Sequence, residues 1–225
     1  SPLEWDVFAV GTYTTISILF FFVGLIPDIA AARDKITDWR RHLYGALAMG
    51  FHGTAEQWRH HSRAVLHLSG LATPLVLSVH SVVSWDFATS LVPGWHTTIF
   101  APYFVVGAIY SGTAGIVTVM YMLRKYMDFG QYITKLHFDN LGKLLLLLSL
   151  LWTYINGVEL FTGWYSGTST EYEALKFKLF GYYSWLYWEM IVFCAAAPLL
   201  CISRRFRTSM VPMLILSIAV NIGMY

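Results

Sequence analysis

The chain has 225 residues, of which 56% are hydrophobic, 17% aromatic and only 12% charged, and its mean hydropathy is +0.54. Soluble domains are about a quarter charged, so this composition argues against a water-soluble enzyme. The net charge of +2 says little about partners, and the basic residues sit between apolar runs rather than along one face, which excludes a nucleic-acid footprint.

Six apolar stretches are long enough to cross a bilayer, which takes about 20 residues with about 17 as the lower edge. They are 7–27, 64–85, 99–123, 144–164, 182–203 and 208–225, the last marginal in length. Without period-2 alternation they read as helices, not strands of a β-barrel. The predicted fold is an all-α integral membrane protein, a polytopic helical bundle with about six transmembrane helices, forming one domain over residues 1–225. Lys and Arg set the orientation. Thirteen of them follow the first, third and fifth spans, and only Lys176 and Lys178 lie on the other side. By the positive-inside rule residues 1–6, 86–98 and 165–181 face outward and residues 28–63 face the cytoplasm.

That cytoplasmic stretch is not polar throughout. Residues 36–61 mix Trp39, Leu43, Leu47, Phe51 and Trp58 with basic side chains, which predicts an interfacial amphipathic helix anchored by Trp39 and Trp58. His60 and His61 read as part of a solvated basic patch. On the outer side, Pro93 and Gly94 read as a turn before the third span, and the aromatic clusters near 164 and 182–188 read as interfacial girdles. Cys194 and Cys201, seven apart on one helix face, read as small buried hydrophobes rather than a disulfide or metal pair. The chain begins with Ser and ends inside an apolar run, and is therefore read as part of a longer protein.

Ionisable groups at membrane depth are functional candidates. Asp28 and Asp139 stand beside basic residues and read as salt-bridging acids. Asp6 and Asp86 mark the outer ends of the first two spans, Glu159 approaches that level on the fourth, and Glu189 sits about 10 Å deep on the fifth. Carboxylates held against apolar surface exchange protons near neutral pH. Oxidising a quinol requires such groups, because two protons need acceptors as two electrons leave. His80 lies about 9 Å deeper than Asp86 on the same helix, and Ser84, its i+4 neighbour, completes a candidate relay from His80 to Asp86. His67 and His80 are thirteen residues apart, a spacing that two axial haem ligands can take. Bis-His haems need a facing pair, and no other span supplies one. Nucleophile, zinc-binding and phosphate-loop motifs are absent. No metal or haem is therefore expected in this chain, and any electrons must pass to a partner.

Three segments carry a resemblance. Gly24-Leu25-Ile26-Pro27-Asp28, His80-Ser81-Val82-Val83-Ser84-Trp85-Asp86-Phe87-Ala88 and Pro93-Gly94-Trp95-His96-Thr97-Thr98-Ile99-Phe100 resemble the NrfD/PsrC-like membrane subunits. The resemblance is strongest to the ActC subunit of bacterial alternative complex III, with ActF its related sister. It covers essentially the whole chain but only the middle and later part of that subunit. It implies a multi-pass protein of the bacterial cytoplasmic membrane that oxidises menaquinol or ubiquinol near the outer face. Electrons would pass to iron–sulfur clusters and c-type haems in an iron–sulfur subunit and a c-type cytochrome subunit, beside a second NrfD-like membrane subunit. It also implies that Asp6, in Leu3-Glu4-Trp5-Asp6, is the quinol-binding acid, partnered by a His before residue 1, and that His80 and Asp86 belong to a proton path. Proton transfer through Ser84, Glu159 and Glu189 is the accompanying expectation. The alternative is an ActF-like proton-translocating or anchoring subunit without its own quinol site.

Overall fold

A computed structural model describes the backbone of residues 2–92 and 95–225 and the side chains from Glu4 onward. Ser1, together with Pro93 and Gly94 of the expected turn, lies outside the described residues. The described residues are helical and contain no strand. Five helices are long and apolar enough to cross a membrane. The sixth apolar run forms a helix of only 15 residues, about 22 Å long and short of a full crossing. The chain divides into two compact units, Ser1–Val83 and Ser84–Tyr225, with the boundary inside the third helix.

The first unit holds α1 (Pro2–Lys35), α2 (Arg40–Leu47) and most of α3 (Ala55–Ala88). Both long helices run well past their apolar stretches, because Asp28–Lys35 and Ala55–Arg63 are good helix formers that simply extend into water. Residues 36–61 are therefore not one interfacial helix: only the eight residues of α2 are helical on their own, and 55–61 are the first turns of α3. The link turns through Met49, Gly50 and Gly53, all at positive φ. Thr54 and Gln57 then form a capping box at the start of α3. The Gln57 N–H donates to Thr54 Oγ1 at 3.2 Å, and Gln57 Oε1 accepts from His52 N–H at 2.8 Å and Thr54 N–H at 3.4 Å. Pro27 lies inside α1 and has no N–H for the Val23 carbonyl. His61 Nε2–H donates to that carbonyl instead, at 2.9 Å. His61 is thus half-buried in an edge-on cluster with Phe51 and Trp58, not a member of a solvated patch. Trp39 is exposed as an interfacial anchor would be.

The second unit packs α4 (Phe100–Tyr126), α5 (Lys135–Tyr165), α7 (Ser184–Ile191) and α9 (Met210–Met224) around Tyr110, Val117, Phe138, Leu145, Trp152, Cys194, Met213 and Val220. Between α5 and α7 lies α6 (Ser169–Phe180), and α8 (Arg204–Arg207) precedes α9. α7 continues as a π turn, Val192–Ala196, and a 3-10 segment, Ala197–Ile202. Pro198 is the cause: it has no N–H for the Cys194 carbonyl four residues back. That carbonyl accepts two hydroxyl bonds from neighbouring helices, from Tyr110 at 2.9 Å and Ser149 at 2.7 Å. Both cysteines are free and buried. Asp139 pairs with Arg207 at 2.8 Å and Lys143 at 2.6 Å. The Arg207 stem lies where a side chain on Gly142 would be, since a Cβ there would meet it at 2.8 Å.

Candidate functional site

In the first unit the half-buried face of α1 runs through Asp6, Ala9, Tyr13, Ile16 and Ser17, at the 3–4 spacing of a packed helix side. Asp6 and Tyr13 are two turns apart on that face. Tyr13 meets the imidazole of His80 on α3 edge-on, with ring centroids 6.4 Å apart. His80 Nδ1–H donates to the Val76 carbonyl at 2.7 Å. This fixes the ring's orientation. Carboxylate and phenol thus share the half-buried side of α1, and the imidazole stands on α3 beside the phenol. His67 makes the same backbone bond, to Arg63, but its side chain is exposed.

In the second unit Ser84 is fully buried, and Asp86 is exposed on the last turn of α3. Beside it Phe87 packs against Trp95 and Phe100, at 5.5 and 6.1 Å. Glu159 is the centre of a polar group the sequence did not reveal. Its carboxylate accepts from Lys178 Nζ at 3.2 Å, with side-chain exposures of 17% and 33% that leave the pair partly shielded. The Lys178 ammonium also stands over the Tyr187 ring, 5.2 Å from its centroid. The Tyr187 hydroxyl donates to Asn156 Oδ1 at 2.9 Å. Glu189 is half-buried on α7 but does not join this group.

Three of these residues lie outside the sequence candidates. Lys178 reads in sequence only as an outer-side charge, although Glu159 and Lys178 are the kind of half-embedded acid and base that seek each other. Asn156 stands three residues before Glu159 on α5 and Tyr187 falls in an apparent girdle, so neither carried a separate signal. His137 has a plain role: its Nδ1 accepts from the Thr134 N–H at 3.1 Å and caps α5. Among the described residues no group of three or more His, Cys, Asp or Glu side chains is placed to hold a metal ion.

The fold and these side chains define a class: a multi-pass helical membrane protein with titratable groups embedded along its spans. The family model for polysulphide reductase, NrfD, matches residues 1–225. The chain belongs to the NrfD family. It is also similar to a Halobacterium salinarum protein described as a membrane subunit of a dimethyl sulfoxide reductase. The two are 26% identical over 147 residues, covering 64% of this chain and 31% of the relative. The chain thus spans about a third of that relative's length.

Proposed function

We propose that the chain is the quinol-oxidising part of a membrane subunit in a multi-subunit redox complex of the bacterial cytoplasmic membrane, of the ActC kind. The names of its family and of its relative, a polysulphide reductase and a dimethyl sulfoxide reductase subunit, support a place in a complex that needs an electron donor. A hydroquinone supplies two electrons and two protons on becoming a quinone. Asp6 takes one of these protons, and Tyr13 holds His80 beside the same inward face. Protons leave from His80 through Ser84 to Asp86 at the outer side, where residues 1–6, 86–98 and 165–181 lie, and Glu159 and Glu189 are further proton-transfer groups. The electrons pass to an iron–sulfur subunit and on to a c-type cytochrome subunit, with a second NrfD-like subunit alongside. Menaquinol and ubiquinol both meet these requirements.

The observation that carries this reading is the half-buried face of α1, where Asp6 stands two turns from the Tyr13–His80 contact. A carboxylate on a face turned to lipid would have no such company. Replacing Asp6 by Asn in the whole complex keeps the shape and removes the proton acceptor. Quinol-dependent reduction of the acceptor is expected to fall about a hundredfold, while an artificial donor to the iron–sulfur subunit still reduces it at the usual rate. Unchanged quinol turnover would refute the role of Asp6. It would favour the second reading, an ActF-like proton-translocating or anchoring subunit. That reading draws its support from the Glu159–Lys178 pair and the buried polar groups of the second unit.

A further inference from the structure

The single turn α8 puts its three arginines to two uses. The span that begins at Ser184 ends at Ile202, and α5 begins its own span at Lys135. α8 follows Ser203 and packs against α5, so these residues gather where two spans meet one membrane face. Arg207 turns inward and pairs with Asp139. Arg204 and Arg205 stay exposed, and their carbonyls accept the hydroxyls of Thr208 at 3.0 Å and Ser209 at 2.7 Å. The backbone that carries them is thereby held. With Lys135, Leu136, Asp139 and Thr208 they line an open cleft of about 450 Å³.

The positive-inside rule accounts for basic residues on this face. It does not require them to converge on one cleft, nor to stay unpaired there. The carboxylate in the lining, Asp139, is already met by Arg207 at 2.8 Å and Lys143 at 2.6 Å, and its side chain is 8% exposed. Among the described residues Lys135, Arg204 and Arg205 have no carboxylate partner. Like charges lining one cleft repel one another until an anion sits among them. Two guanidinium groups offer the planar fork that grips phosphate oxygens. The rim is apolar: Leu136 lines the cleft, Ile202 and Val211 stand on either side of α8 in the chain, and all three are exposed. A free phosphate or an acidic peptide has no need of such a rim. A molecule with a phosphate head and hydrocarbon chains uses both parts.

We propose that this cleft, built wholly from residues of the second unit, binds the phosphate of an anionic phospholipid whose acyl chains pass over the apolar rim into the bilayer. The site is separate from quinol oxidation and holds for any activity of the complex. The test reconstitutes the assembled complex in phosphatidylcholine vesicles with phosphatidylglycerol that carries a diazirine near the head of one acyl chain, followed by illumination and peptide mapping. Label is expected within residues 135–144 or 199–215, displaced by excess unlabelled phosphatidylglycerol but not by more phosphatidylcholine or by millimolar inorganic phosphate. Arg204→Gln with Arg205→Gln should raise the phosphatidylglycerol content at half-maximal label about thirtyfold, about fivefold for each charge. The unfolding midpoint should not fall, because neither guanidinium has a carboxylate to lose. Lys135→Gln, which leaves α8 intact, should by itself raise that content about fivefold. Lys125→Gln, at the end of α4 and outside the cleft, should leave it unchanged. Displacement by phosphatidylcholine or by phosphate overturns the proposal, since the site would then take a zwitterionic lipid or a free anion. Undiminished label in both the double variant and Lys135→Gln overturns it too. So does an effect of Lys125→Gln as large as that of Lys135→Gln, which would make surface charge alone the cause. Absence of displaceable label from both segments, as when an acidic stretch of a partner subunit fills the cleft, also overturns it.

Discussion

The two units handle their polar side chains in opposite ways. Along α1 and α3 the hydroxyls and imidazoles mostly bond back to their own helix. Thr12 donates to Phe8, Thr15 to Gly11, Thr73 to Ser69, His80 to Val76 and Ser81 to Leu77, each four residues away. In the second unit several buried groups bond between helices: Tyr110 and Ser149 to Cys194, Tyr187 to Asn156, Thr118 to Ser217 and Arg207 to Asp139. Where no water is available, a polar group on a helix bonds to its own backbone or to a neighbouring helix. Packing follows the same division. The apolar windows of α1 and α3 are each 6% buried, against 28% and 33% for α4 and α5. Polar bonds across helices fix how the second unit packs. In the first unit bonds between segments are found near the α1–α3 link, where His61 reaches Val23 and Arg33 reaches Phe51.

The sharpest way to break that comparison is to remove Arg207. Its guanidinium is 12% exposed and its Asp139 partner 8%. It also donates to the carbonyls of Cys201 and Ile202, which end the 3-10 segment. Arg207→Met leaves a buried carboxylate with Lys143 alone and is expected to destabilise the second unit by about 3 kcal/mol. Denaturant unfolding in detergent micelles measures this. A loss below about 0.5 kcal/mol would mean that the ion pair is not what holds α8 against α5. Tyr187→Phe comes next. It strips Asn156 of its hydroxyl donor, while Asn156 Nδ2 is already buried without a partner among the described residues. The expected loss is about 1–2 kcal/mol, read from the same unfolding curves.

These side chains also show what the sequence could and could not convey. Hydropathy located every long helix, because lipid contact selects apolar residues. It misplaced their ends by up to nine residues, because helices continue into water on good helix formers such as Ala55-Glu56-Gln57. It passed over α6 entirely, since Ser169-Thr170-Glu171-Tyr172-Glu173-Ala174-Leu175-Lys176 is too polar to register as a span. Embedded acids were legible as a class. Asp139 has the salt bridges its basic neighbours suggested, although Arg207 lies 68 residues away. The pairing of Glu159 with Lys178 needed the fold, because the two belong to different helices and only the turn at Gly167, at positive φ, folds α6 back toward α5. His61 was misread as a surface residue because the need it meets, a carbonyl vacated by Pro27, lies 38 residues away.

That last device is seen at Pro27 in the first unit and at Pro198 in the second, and it gives the smallest but most discriminating test. Pro27 and Pro198 each leave the carbonyl four residues back without its helical donor. In the first unit one group, His61, meets the need at Val23; in the second two hydroxyls, of Tyr110 and Ser149, share the Cys194 carbonyl. His61→Phe keeps the ring against Phe51 and Trp58 and should cost about 1 kcal/mol in one step, because nothing replaces its bond. Ser149→Ala should cost only about 0.6 kcal/mol, the mean for such bonds between membrane helices, since Tyr110 remains. Adding Tyr110→Phe should then cost more than it does alone, because the second removal is the one that bares the carbonyl. Pro198→Ala restores an N–H four residues beyond Cys194 and should abolish that non-additivity. If the two hydroxyl deletions prove additive with Pro198 in place, the carbonyl is not their shared acceptor in solution, and the contrast between the units loses its cleanest example.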